Sequence, residues 1–214
     1  MKKKTTRSRI YGGVKADLRK EERRKKLIEA GLEAFGTRGY AKTNIKMICG
    51  IAGLTERYFY ESFRRKEDLL CAVYRELIDE GQRDALAALE DSKGSPLETA
   101  SQALKMFYKR FQQDPRKAQI QLFEILGVSQ NIDREYQKAM RLLADMVRFF
   151  LCKVFPHIHE KILKQSMIPT GLAGAIVMIA HEWVLGGFIT PLDDIVSQCT
   201  DFFVAVGKHI ESQS

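Results

Sequence analysis

Proline, tryptophan and paired cysteines are scarce in this chain, and each scarcity removes a class of answer. Five prolines and one tryptophan in 214 residues leave long stretches free to run as uninterrupted helix. The four cysteines, Cys49, Cys71, Cys152 and Cys199, stand far apart with no Cys-x-x-Cys pair. That spacing fits reduced cytoplasmic thiols better than a disulfide framework or a zinc site. No glycine-rich phosphate loop, nucleophile elbow or Cys/His pairing signature occurs. His157 and His159 sit two apart beside Pro156, so they do not share a helix face. Catalysis, a bound metal and a cofactor are therefore not expected. The longest apolar stretch, Met167–Ile189, is interrupted by Pro169, His181 and Glu182. A membrane span needs about 20 predominantly apolar residues, so this stretch reads as a buried helix. Lys2, Lys3, Lys4, Arg7 and Arg9 imitate the charged start of a signal peptide, yet no apolar segment follows them. The expected location is the cytoplasm.

What is present is an ample apolar fraction and an uneven charge. With 45% hydrophobic residues the chain can bury one sizeable core, or one core and a satellite domain. Residues 1–66 hold 19 Lys+Arg against 7 Asp+Glu, while residues 67–214 hold 16 against 20. The positive excess thus lies wholly in the first third, which suggests a polyanion partner for that part alone. Taken by itself, the same charge also suits a solvated basic tail.

Apolar periodicity is helical almost throughout, and no strand pattern is convincing. About nine helices are expected: Arg19–Arg38, a short run Ile45–Ala52 preceded by Thr43-Asn44, a third capped by Thr55 and carrying Phe59 and Phe63, Lys66–Leu89, Leu97–Gln113, Arg116–Val128, Arg134–Phe155, Thr170–Phe188 and Leu192–Ile210. The run Asp91–Pro96 is the clearest loop, and Gly39 and Gly53 suit helix ends. The fold class is all-α. Three parts are expected: a basic N-terminal arm at 1–18, a helix-turn-helix domain at 19–66 and a ligand-binding and dimerisation domain at 67–214.

Within the second part, Thr43–Phe63 has the layout of a helix-turn-helix. A short helix is followed by the glycine-containing turn Ala52-Gly53-Leu54 and a second helix that Thr55 can cap. On a helical projection Phe59 and Phe63 point inward, leaving Arg57, Tyr58 and Glu61 opposite and Tyr60 at the flank. The segment Ala34–Leu70, AFGTRGYAKTNIKMICGIAGLTERYFYESFRRKEDLL, resembles the tetracycline-repressor (TetR) family of bacterial transcription regulators. The resemblance runs through Phe35, Gly39 and Tyr40, then Thr43, Ala52-Gly53-Leu54, Tyr60-x-x-Phe63 and Lys66-Glu67-Asp68-Leu69-Leu70. It implies that Thr43 and Asn44 bind phosphate, that Lys46 reaches phosphate or base, and that Tyr60 and Lys66 grip phosphate. Glu56, Arg57 and Tyr58 fall where base-reading residues lie, and Thr55 completes the DNA-facing set. The family favours small residues at the positions of Arg57 and Tyr58. Their bulk here favours direct readout, with Arg57 placed for a bidentate contact to guanine.

The resemblance also implies a ligand pocket in the middle helices and a homodimer built by the last two, here residues 170–210. Candidate pocket residues are Phe107, Phe111, Phe123, Met140, Met146, Phe149, His181 and Trp183. Periodicity alone reads such a stripe more often as plain core than as a cavity. Trp183 suits core, interface or pocket, and the His181-Glu182 pair suits a structural contact or a polar handle. The implied activity is a DNA-binding regulator, a repressor released from a palindromic operator by a small effector. Its half-sites would lie one helical turn, roughly 34–36 Å, or a multiple apart. Composition leaves a rival open: a helical carrier or enzyme whose basic N-terminus binds membrane or RNA.

Overall fold

A computed structural model describes residues 7–90 and 93–213, with side chains from Asp17 onward except that of Ala88. Among these residues there are ten α-helices, one π-helical turn and no strand. The all-α expectation holds. The chain divides into two compact units, a head ending at Val73 and a body starting at Tyr74. Helix α4 (Lys66–Glu90) contributes to both.

The head is built on α1 (Arg7–Arg38), which buries Leu27, Ala30, Ala34 and Phe35 along one face. Helical backbone continues from residue 19 back to Arg7, through much of the expected arm, whose first six residues lie outside those described. Helix α2 (Ile45–Ala52) is capped by Asn44, whose side chain accepts from the Met47 N–H at 2.9 Å. Gly53 closes it at φ +64°, a left-handed position that costs a residue with a Cβ about 1 kcal/mol or more. Helix α3 (Glu56–Ser62) starts after Thr55, which occupies the cap position while its hydroxyl makes no capping bond. Phe59 and Phe63 are buried, as their spacing predicts, and their rings lie 5.8 Å apart. The first turns of α4 close the head, with Leu69 and Val73 against Gly31. A Cβ on Gly31 would come within 2.9 Å of Val73. That close packing carries the compact unit past Lys66.

The body holds the rest. Helix α5 (Pro96–Gln113) opens with a full capping box, Ser95 and Glu98. Helix α6 (Pro115–Ala118) runs directly into the π-helical turn Gln119–Glu124. This pair replaces the single helix expected to reach Val128. Helix α7 (Gln130–Val154) starts earlier than its periodicity suggests because Ser129 caps it. Helix α8 (Glu160–Gln165) has six residues, too few to show a period, and was not expected. Helices α9 (Ile168–Leu185) and α10 (Leu192–Ser212) complete the unit. Helix α9 packs on α7, and α10 on α5.

Helix α9 departs from its reading as a buried helix. By length and hydropathy alone it is long and apolar enough to cross a membrane, and only 28% of it is buried. Met178 and Leu185 lie open on it, and Ile189 just beyond it. Its end comes at Leu185 because Gly187 and Phe188 both turn to positive φ.

Candidate nucleic-acid interface and ligand cavity

Of the nine DNA-facing residues expected from sequence, six are exposed: Asn44, Lys46, Thr55, Glu56, Arg57 and Tyr60. The Arg57 side chain is 85% accessible, with its Nε 3.3 Å from the exposed Glu61 carboxylate. Helices α2 and α3 pack on each other and on α1, which fixes these groups on one rigid support. Asn44 sits at the N-terminus of α2, where unpaired N–H groups and the helix dipole favour an anion.

The remaining three are placed differently. Thr43 is 2% exposed, and its hydroxyl donates toward the carbonyls of Gly39 at 2.8 Å and Ala34 at 3.2 Å. Its side chain pins the α1–α2 loop to α1, which corrects its expected place on the phosphate-facing surface. Lys66 is half-buried, and its ammonium donates to the carbonyls of Tyr40 at 2.7 Å and Thr43 at 2.6 Å. The same Nζ lies 4.0 Å from the centre of the Tyr40 ring. Burial pulls the Lys66 pKa below the usual lysine value. Both residues therefore brace the loop that presents Asn44. Tyr58 is half-buried, with the Arg23 guanidinium 4.5 Å above its ring. Glu61 pairs with Arg23 at 3.4 Å and Arg57 at 3.3 Å. Helix α1 thus holds the outer side of α3 through Arg23.

The body contains a cavity of about 160 Å³, bounded by α4, α5, the π-helical turn, α7, α9 and α10. Four of the eight expected ligand residues line it: Phe107, Phe111, Met140 and Met146. The other four do not. Phe149 is exposed on the outer side of α7, with the Lys153 ammonium 5.6 Å from its ring centre. Phe123 lies against His181, ring centres 4.6 Å apart, and His181 pairs with Glu182 at 3.2 Å. Trp183 is core: 4% exposed, its indole N–H donates to the Thr190 carbonyl at 2.7 Å. On α7 a one-residue offset of 100° separates the two aromatics, with Phe150 lining the cavity and Phe149 facing out.

Sequence reasoning missed two lining residues of another kind, Arg110 and Gln121. Each is 7% exposed. Arg110 donates to the Leu77 carbonyl and stands 3.9 Å from Glu80. Burial lowers its pKa from the ordinary arginine value, while Glu80 and Asp84 pull it back up. A signal was available: Arg110 lies three residues after Phe107 and next to Phe111, on the inward stripe of α5. Tyr108, also buried, donates to the Ile176 carbonyl at 3.0 Å and lies 3.1 Å from the Cys199 sulfur. Burial and that contact push the Tyr108 hydroxyl far above the usual tyrosine pKa, so it stays protonated.

Comparison with known proteins falls in line with this geometry. Residues 27–73 match the family described as bacterial regulatory proteins, tetR family. Over 93 residues the chain is 30% identical to the HTH-type transcriptional regulator BetI of Rhizobium meliloti (strain 1021). That match covers 44% of this chain and 45% of the relative, so the chain spans about half the length of its curated relative. Solved structures share the fold at low identity. The fatty acid degradation regulator FadR from Bacillus halodurans superposes with a TM-score of 0.72 at 14% identity, covering 85% of this chain and 94% of that one. FadR from Bacillus subtilis, solved in complex with stearoyl-CoA, gives 0.69 at 16%, covering 84% and 96%. A TetR-like transcriptional regulator from Rhodococcus sp. RHA1 gives 0.66 at 18%, covering 85% and 93%.

Proposed function

We propose, from the TetR-family DNA-binding domain that residues 27–73 carry, that this chain is a ligand-responsive transcription regulator. It acts in the cytoplasm as a homodimer on a palindromic operator, as a repressor that a small effector releases. Its role is binding rather than catalysis. The observation that carries the reading is the braced, exposed face of α3 within a cationic head. Phe59 and Phe63 anchor that helix inward, while Arg57 and Tyr60 are exposed on a head of strong positive charge. In the major groove Arg57 would read guanine, and Tyr60, Lys46 and Asn44 would hold phosphates. Thr43 and Lys66 serve from behind, by holding the loop that positions Asn44.

Two features of the body support its share of the reading. Met178, Leu185 and Ile189 of the α9 region and Phe202 of α10 are exposed apolar side chains that a second copy would cover. The cavity offers a place for an effector, whose binding would shift the population toward a state with mismatched reading heads. The stearoyl-CoA bound by the Bacillus subtilis relative makes acyl compounds a reasonable first screen. The decisive test is selection of bound duplexes from a random library by the full chain. An enriched inverted repeat, lost on Tyr60→Ala with unchanged melting temperature, is the expected result. Enrichment of no sequence, or an undiminished affinity in Tyr60→Ala, would contradict the docking.

A further inference from the structure

Helix α1 is longer than the core of the head requires. Among its described side chains the first to be buried is Leu27, and Phe35 is the last. The helix nevertheless begins at Arg7, so about 30 Å of it precedes Leu27. Every residue from Asp17 to Glu22 is exposed. Residues 7–26 carry nine Lys+Arg against three Asp+Glu, and Gly12 and Gly13 are poor helix formers. Neither burial nor propensity accounts for this stretch, which leaves its charge as the feature to explain.

The contacts of α1 show where that charge is aimed. The Arg23 guanidinium lies 4.5 Å from the centre of the Tyr58 ring, and that of Arg24 lies 4.8 Å from the centre of the Phe63 ring. This face of α1 is therefore the one that carries α3. Arg19 and Lys20 stand one turn earlier, four residues before Arg23 and Arg24, so they extend the same face; both are exposed. By helical register the strip runs on through Ala16, Gly13, Gly12 and Arg9. Asp17 falls at its edge, and Glu21 and Glu22 fall away from it. A strip of cations and small residues thus continues past α3, the helix that exposes Arg57 and Tyr60. Each strand of a duplex seated there presents one phosphate about every 3.4 Å.

We propose that the N-terminal half of α1 is a second DNA contact, in which Arg9, Arg19 and Lys20 hold phosphates beyond those met by α2 and α3. The inference rests on the reading of the head as a duplex-binding unit and extends its footprint. Ile10, Tyr11, Val14 and Leu18 fall by register on the opposite side, as in a helix lying on lipid. Duplex is favoured over lipid because the cationic strip faces the same way as α3, whereas Glu21 and Glu22 accompany the apolar side.

The test compares two charge-matched variants of the full chain on a selected inverted repeat. Arg9→Gln/Lys20→Gln removes two cations from the strip, and Arg7→Gln/Lys25→Gln removes two from the opposite side. At about 0.9 per phosphate, a dimer losing four contacts should show a slope of log Kobs against log salt shallower by about 3–4. Its affinity near 0.15 M salt should fall about tenfold or more, with an unchanged melting temperature. The opposite-side variant should shift the slope by less than about 1. Equal shifts in the two variants would overturn the proposal, because net charge rather than a grip would then act. No shift in either would also overturn it, leaving the extension solvated. Unchanged duplex binding by Arg9→Gln/Lys20→Gln, with adsorption to phosphatidylserine vesicles that Leu18→Ser abolishes, would give the extension to a membrane instead. A chain that selects an inverted repeat but binds it equally well as Arg9→Gln/Lys20→Gln loses only this inference. One that selects no duplex loses the regulator reading and this inference with it.

Discussion

The head and the body differ in where their buried polar side chains find partners. In the head, Thr43 and Lys66 spend their hydrogen bonds on carbonyls of the α1–α2 loop, so that Asn44, Arg57 and Tyr60 stand on a finished support. Among the described residues of the head only Ser62 Oγ is buried without a partner. In the body, Arg110 and Gln121 line a cavity with bonding capacity unspent. A unit that reads a partner on its surface gains from rigidity within.

Mutations can break or sharpen this contrast, beginning with the largest expected loss of stability. Lys66→Met removes two charge-assisted bonds to carbonyls that stay buried and should cost about 2–3 kcal/mol. Chemical denaturation measures it, and an unchanged midpoint would return Lys66 to a purely DNA-facing role. Next comes a tie within the body, where Arg75 donates to both carboxylate oxygens of Glu135 at 2.8 and 2.9 Å. That guanidinium holds the Glu135 carboxyl down at about 2, from an ordinary value of 4.5. The folded value is the lower one, so the tie contributes fully above pH 4.5 and fades as the pH falls toward about 2. Glu135→Gln should therefore cost about 1–2 kcal/mol at pH 7, discounted for the exposed Arg75, and clearly less at pH 3. An equal cost at both values would exclude the ion pair as the cause.

Smaller effects follow. Gly53→Ala meets open space but a left-handed backbone, and should lower head stability by about 1 kcal/mol. Last, Arg57→Ala and Tyr60→Ala should change stability by no more than about 0.5 kcal/mol, since both side chains are exposed. The same two changes should have the largest effect on duplex binding. Should they unfold the head instead, the division into support and reading surface fails.

Legibility in the sequence follows the same divide. The helix-turn-helix could be read because its caps, its Gly53 turn and the Phe59–Phe63 pair are local signals with fixed spacing. The bonds of Thr43 and Lys66 to loop carbonyls are not legible, because spacing says nothing about the carbonyls of another segment. In the body, periodicity located α5, α7, α9 and α10 but could not choose among adjacent aromatics: Phe149 faces out and Phe150 in. The π-helical turn has no sequence signature, since its i→i+5 bonding depends on packing around it. Arg110 was passed over because a charged residue on an apolar stripe reads as an interruption, although its position marked it as inward-facing.

The central claim is that the cationic head grips a DNA duplex through several phosphates at once. The most direct test is the salt dependence of affinity for a selected inverted repeat. If the dimer neutralises six or more phosphates, log Kobs should fall with log salt at a slope of about −5 or steeper. A slope near zero, with affinity indifferent to salt, would contradict the account.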